Sequence, residues 1–162
     1  MTRFLPFVLL ALVGCDAFSG PDFETRRVLG QPALSSLGVE PLAIPDTVTA
    51  GEPFEVTVTT AGGGCHVRAD GVEVDAGGEA VEFRPYDIVR VPVSDRAACT
   101  LPLLHFPRTA VVVMAEPGRR LLRVVGGSGP DPTTSPVVVE RVVVVLAGSS
   151  GTERAAAGRR GT

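Results

Sequence analysis

Lysine and tryptophan are absent from this 162-residue chain, and tyrosine occurs once. All 15 basic residues are therefore arginine, set against 18 acidic ones, for a net charge of −3. Nucleic-acid binding depends on neutralising a run of phosphates with cations, so a mildly acidic chain argues against it. Aromatic residues make up 5% of the sequence. That is too few to furnish a sugar-binding cleft with stacking platforms, which counts against paired-carboxylate glycosidase chemistry. No apolar run reaches the roughly 20 residues of a spanning helix. Helical periodicity is missing as well, and 14 prolines punctuate the chain. What remains is ample apolar content, 44% of residues. It excludes a wholly disordered protein and suits one domain with tails.

The first residues read as an address. Arg3 supplies a small positive start, and Phe4 to Val13 is an apolar run of about ten residues, the length of a signal-peptide core. It ends in Leu12-Val13-Gly14-Cys15. These four residues resemble the bacterial lipobox: a leucine three positions before, a small residue just before, and the cysteine. The resemblance implies cleavage between Gly14 and Cys15 and lipidation of the Cys15 thiol. Two acyl chains suffice for stable anchoring, at about 0.8 kcal/mol per buried CH₂. The alternative is an ordinary signal peptide cut after Ala17. Residues 1–14 are expected to be a signal, and residues 15–38, rich in Gly, Pro, Ser and charge, a flexible tether in which Arg27-Val28-Leu29 is the one candidate for a short strand. The localisation implied is the cell envelope, with the domain on the periplasmic or extracellular side.

Three cysteines leave one over in an oxidising compartment. If Cys15 carries lipid, Cys65 and Cys99 remain as an even pair, expected to form a disulfide. Two free thiols or a metal pair are the alternatives.

From Val39 the pattern changes to period two. Phe54-Glu55-Val56-Thr57-Val58-Thr59 alternates apolar and polar, as a half-buried strand does. Further strand-like pieces cover 67–74, 80–83, 88–93, 109–114, 121–125 and 137–146, with Asp70-Gly71, Gly77-Gly78 and Glu116-Pro117-Gly118 as turns. Seven to eight short antiparallel strands in residues 39–147 predict an all-β sandwich. Pro45 to Val58 resembles the opening strands of bacterial immunoglobulin-like domains, a short edge strand leading through Ala50-Gly51-Glu52-Pro53 into the first core strand. The strand–Glu-Pro-Gly–strand segment from Phe106 to Val125 resembles their penultimate hairpin. The whole is similar to small lipoproteins of GC-rich bacteria with one such domain behind a lipobox. Fold does not fix function. The function expected is a non-enzymatic, membrane-anchored binding or accessory module for a protein or envelope polymer, without cofactor. A purely structural spacer, or a small metal-binding protein using His66 and His105, is the alternative. Residues 148–162 are expected to be a disordered tail.

Other groupings carry weaker chemistry. Gly62-Gly63-Gly64 lacks the Gly-Lys-Ser/Thr and helix of a phosphate loop. His66 and His105, with Cys65, Cys99 and Asp70, are the candidates for a metal site, although no paired-ligand spacing occurs and a bonded cysteine cannot ligate as a thiolate. Asp70, Glu73 and Asp75 do not have the spacing of a calcium loop. Ser94, Asp95 and His105 compose a triad on paper only. Phe83, Tyr86, Phe106 and Pro107 are candidates for a recognition patch. Val142 to Leu146 is expected to be paired on both sides or covered, because such a run at a free edge invites aggregation.

Overall fold

The computed structural model describes residues 23–94, 98–99, 102–128 and 135–148. Among these lie ten strands: β1 (Phe23–Leu29), β2 (Gln31–Pro32), β3 (Leu42–Ala43), β4 (Thr47–Thr49), β5 (Pro53–Gly62), β6 (His66–Asp75), β7 (Ala80–Pro92), β8 (Leu104–Val113), β9 (Gly118–Gly126) and β10 (Val137–Leu146). One 3-10 turn, Ser35–Leu37, interrupts them. The protein is all-β, as expected. The expected signal segment, Gly14, Cys15 and residues 149–162, expected to be a tail, lie outside the described residues.

The strands form a six-stranded and a four-stranded sheet. In the larger, β6 borders one edge of β7. On the opposite edge, β9 pairs with residues 80–83 and β1 with residues 86–92. β10 and then β4 continue the sheet beyond β9. In the smaller sheet, β5 is central, with β8 on one edge and β2 and β3 on the other. Inward side chains of both sheets make a core of small aliphatic groups, among them Val56, Val58, Val112, Val124, Val143 and Val145, around a fully buried Phe83. Valine suits this role because a β-branched side chain packs well on a pleated surface.

Three departures from the sequence reading stand out. Residues 23–38, expected to belong to a flexible tether, are structured: Phe23–Leu29 pairs with β7 along its whole length, and β2 and the 3-10 turn follow. Arg27-Val28-Leu29 is the end of β1; polar composition hides the rest, because most of its side chains are exposed and its pairing is made by the backbone.

Not every pairing is antiparallel. β7 runs parallel to β9, and β10 parallel to β4. The strands also include one of 13 residues, β7, where two short pieces are expected. Pro85 lies inside it. A residue's N–H and C=O point to the same edge of an extended strand, and the Pro85 carbonyl accepts from Gly30 N at 2.8 Å. The missing proline N–H therefore falls where β9 ends and β1 begins, so no ladder bond is lost there.

Asp70-Gly71 is no turn either. It is a bulge within β6, where the register against β7 shifts between Ala69 and Gly71. Gly71 has φ +144°, a conformation that a side chain resists. Gly77-Gly78 does connect β6 to β7, with Asp75 accepting from Gly77 N at 3.0 Å. Of Val142 to Leu146, expected to be paired on both sides or covered, Val144 and Val145 lie between β9 and β4, whereas Val142 and Val143 pair with β9 alone and Leu146 with β4 alone.

Candidate functional site

The interior of the sandwich is built in three storeys, each legible along two strands. On β5, Val56 and Val58 belong to the core, Thr60 comes next, and Ala61 and Gly62 follow. On β7 the order is Phe83, then Asp87, then Val89. The middle storey is polar. Asp87 is 0% exposed, and the Arg108 side chain opposite it on β8 is 6% exposed.

Arg108 Nη2 donates to Asp87 Oδ1 at 2.5 Å, to Thr60 Oγ1, and to the Phe106 carbonyl at 3.1 Å. Thr60 Oγ1 in turn donates to Asp87 Oδ1 at 3.0 Å. Nη1 donates to the carbonyls of Gly71, at 3.0 Å, and Tyr86. These are the two carbonyls that face each other at the β6 bulge. The bulge disrupts the ladder, and the guanidinium fork takes up its acceptors. Asp87 Oδ2 and Arg108 Nε have no hydrogen-bond partner. A Cβ on Gly30 would stand 2.5 Å from that Oδ2, so only glycine fits beside the carboxylate. A second arginine closes the far side of the sandwich. Arg141 on β10 donates to Glu40 and, at 3.2 Å, to the Leu42 carbonyl.

Beyond the polar storey the space between the sheets opens as a groove of about 450 Å³. Its walls are Val28 and Leu29 of β1, Leu34 and Leu37 beside the 3-10 turn, Val89 and Val91 of β7, and Leu103. β2 and β3 pinch together at Thr59, which accepts from Ala33 N at 2.9 Å and donates to the Pro41 carbonyl at 3.0 Å. Residues 34–40 are thereby thrown out as a loop that carries Leu34 and Leu37 to the rim. Leu34, Leu37 and Leu103 are each about half exposed.

Cys65 and Cys99 line the same groove at disulfide distance, with a Cα–Cα separation of 5.1 Å. His66 stacks against Phe106 with ring centroids 6.1 Å apart, and its Nδ1 is buried without a partner. Its ring leaves no room for a side chain at Gly62.

The remaining sequence candidates disperse. His105 is exposed on β8, and no group of three potential metal ligands occurs among the described residues. Asp70 and Glu73 are occupied by Arg27, which donates to Asp70 at 2.8 Å and Glu73 at 3.2 Å and lies 3.5 Å over the Tyr86 ring. The hydrogen bond to Asp70, above all, raises the Arg27 guanidinium above its ordinary pKa. Phe83 is core, Tyr86 sits beneath Arg27, Phe106 is half-buried, and Pro107 is exposed, so no aromatic patch assembles. Of the paper triad, Asp95 lies outside the described residues. No helix among the described residues is long and apolar enough to cross a membrane.

The groove and the Asp87–Arg108 layer are not singled out by the sequence. The one available signal is the pair of charges inside alternating strands: Asp87 falls on the same face of β7 as Phe83 and Val89, and Arg108 on the same face of β8 as Val112. Compared with known proteins, the chain matches no family model, no curated protein and no solved structure.

Proposed function

We propose that the protein is a lipid-anchored lipoprotein of the cell envelope whose sandwich is a non-catalytic binding module. Its partner, a protein or an envelope polymer, would offer an apolar segment to the groove beside Cys65 and Cys99. The observation that carries this is the groove itself. It is concave, apolar and of a size typical of ligand sites, yet separate from the core. The anchor would be Cys15, after cleavage behind Gly14. Residues 16–22 would then be the whole tether, since β1 starts at Phe23. Phe23 pairs with Pro92, and Pro92 lines the groove. The tether would therefore enter the body beside the groove mouth.

We read the body as a variant of the immunoglobulin-like sandwich. The support is the short edge strand β4, which leads through the turn at Ala50-Gly51 into the first core strand β5. The parallel β7–β9 pair is its departure from that pattern.

The anchoring is tested by expressing the full chain in a bacterial host and partitioning membranes with detergent. The wild type enters the detergent phase, with the intact mass of a lipidated chain starting at Cys15. Cys15→Ala stays in water. A wild type recovered in aqueous extracts without detergent would refute the anchor.

A further inference from the structure

We propose that β1 is a releasable strap. It peels from the edge of β7 as a unit while the rest of the sandwich stays folded. Arg27 is the clasp that holds it down, and its release takes Val28 and Leu29 out of the groove wall.

The strap has no stake in the core. None of its residues belongs to the core cluster or to the partly buried groups packed against it. Glu24, Thr25, Arg26 and Arg27 are exposed. What binds β1 is the backbone ladder to Tyr86–Pro92. A segment with few buried apolar contacts belongs to the part of a structure that opens first. The downstream limit of the opening is Gly30. Its N–H donates to the Pro85 carbonyl at 2.8 Å, its carbonyl accepts from Gly127 N at 3.0 Å, and Pro32 just beyond is fully buried. β2 therefore stays in place when β1 lifts.

Side chains add one link. Arg26 donates to Glu24 at 2.7 Å, but that pair lies within β1 and moves with it. Arg27 instead reaches over β7 to β6. It donates to Asp70 at 2.8 Å and Glu73 at 3.2 Å, with the guanidinium 3.5 Å over the Tyr86 ring of β7. Among the described residues it is the only side chain of β1 that hydrogen-bonds another strand. At 45% side-chain exposure such ion pairs are worth little, so the clasp can open under ordinary thermal motion. Val28 and Leu29 line the groove. With β1 lifted, the groove between the sheets lies open along that side.

Amide exchange of the full chain, read residue by residue by NMR and corrected for intrinsic rates, tests the strap. The Arg90 N–H donates to the Cys65 carbonyl just before β6, whereas the Pro85 carbonyl faces Gly30 on the opposite edge of β7. Alternation along β7 then turns the N–H groups of Asp87, Val89 and Val91 toward β1, where Val28, Arg26 and Glu24 stand opposite them. These six amides should exchange together, at least about tenfold faster than those between β9 and β10, while Arg90 stays slow. Arg27→Gln should speed the six about fivefold, through the loss of exposed ion pairs and one cation–π contact. Arg26→Gln makes the same charge change without touching the clasp and should leave them unchanged. Salt at about 1 M screens the ion pairs, so it should speed the wild type but not Arg27→Gln.

Exchange of the six at the β9–β10 rate would mean that β1 leaves only with the whole fold, and would overturn the strap. Acceleration of Arg90 alongside the six would mean that β7 itself loosens, and would overturn it too. No gain in Arg27→Gln, or an equal gain in Arg26→Gln, would overturn the clasp. None of these results depends on the anchor or on a bound partner, so the strap and the proposed function fail separately.

Discussion

Arg108 is the residue whose replacement should reveal most about how this fold is held. Its side chain is 6% exposed and donates to five acceptors: Asp87, Thr60 and the carbonyls of Gly71, Tyr86 and Phe106. Arg108→Met keeps much of the volume and removes every donor. Asp87, 0% exposed, is then left with Thr60 alone. Removing one partner of a buried ion pair costs about 3–5 kcal/mol. Asp87→Leu should cost about the same, because it strands the cation. The double variant Arg108→Met/Asp87→Leu removes both charges, and replacing a whole buried pair with apolar groups is often close to neutral. Here it should still fall short of wild type by about 1–3 kcal/mol, because the carbonyls at the β6 bulge lose their donor. The cycle should thus show several kcal/mol of coupling. Urea unfolding followed by far-UV circular dichroism is the assay, since there is no tryptophan to report. Additive single and double effects, or an Arg108→Met cost below about 1 kcal/mol, would refute the view that this layer is a coupled unit.

Further predictions follow from neighbouring geometry. Gly30→Ala should destabilise by about 1–3 kcal/mol, the cost of overpacking, because its Cβ would meet Asp87 Oδ2 at 2.5 Å and Thr60 Cγ2 at 2.7 Å; an unchanged urea midpoint would count against the seat drawn for Asp87. Gly71→Val should cost about 1–3 kcal/mol through its positive φ alone, nothing standing within 4 Å of the new Cβ, with Asp70→Ala at the adjacent exposed site as the milder control. In the Cys15→Ser chain, Cys65 and Cys99 should be unreactive to a thiol reagent until reduced. Reduction should cost up to about 4 kcal/mol for a sequence separation of 34, and two titratable thiols in the native chain would disprove the bond. Leu37→Glu should leave the unfolding free energy from urea titration within about 0.5 kcal/mol of wild type, since Leu37 is half exposed.

The strands with a buried face were legible because alternation reports burial. Phe54 to Thr59 and Val137 to Leu146 both fall within strands of the structure, the latter with the same bounds. Illegible were the features that backbone geometry decides. Phe23–Leu29 carries no apolar alternation because its outward neighbours are water and charge, and it is a strand only because β7 has a vacant edge beyond β9. Pro85 reads as a break in any local pattern, and it is harmless only because two strands meet end to end at its edge. Asp70-Gly71 reads as a turn because its composition is that of one, and a bulge draws on the same freedom of glycine. The pairing of Cys65 with Cys99 was suggested by counting alone. The groove is not legible in the sequence because its walls come from segments far apart in the chain, one of them, residues 28–37, of tether-like composition.

The polar storey also explains how a groove can stay open in so small a body. A sandwich of valines and one buried phenylalanine has few large side chains with which to fill the space between its sheets. Left to hydrophobic packing alone, the sheets would close together at the end where side chains run out. Arg108 stands in the way as a strut. It joins β8 of the smaller sheet to the β6–β7 bulge of the larger, at a spacing set by hydrogen bonds. The Cys65–Cys99 pair at the rim would fix the spacing a second time. None of the residues in the core cluster lines the groove, so its emptiness removes no contact from the core. Such a cavity is preorganised: a ligand entering it does not have to separate the sheets, and the cost of ordering the walls is met on folding rather than on binding. If the strut is removed by Arg108→Met/Asp87→Leu, the fold should survive while the groove narrows. Binding of an apolar fluorescent dye to the groove should then fall about tenfold or more with the groove-lining side chains unaltered. Undiminished dye binding in a folded double variant would mean that the groove is held open by something other than this pair.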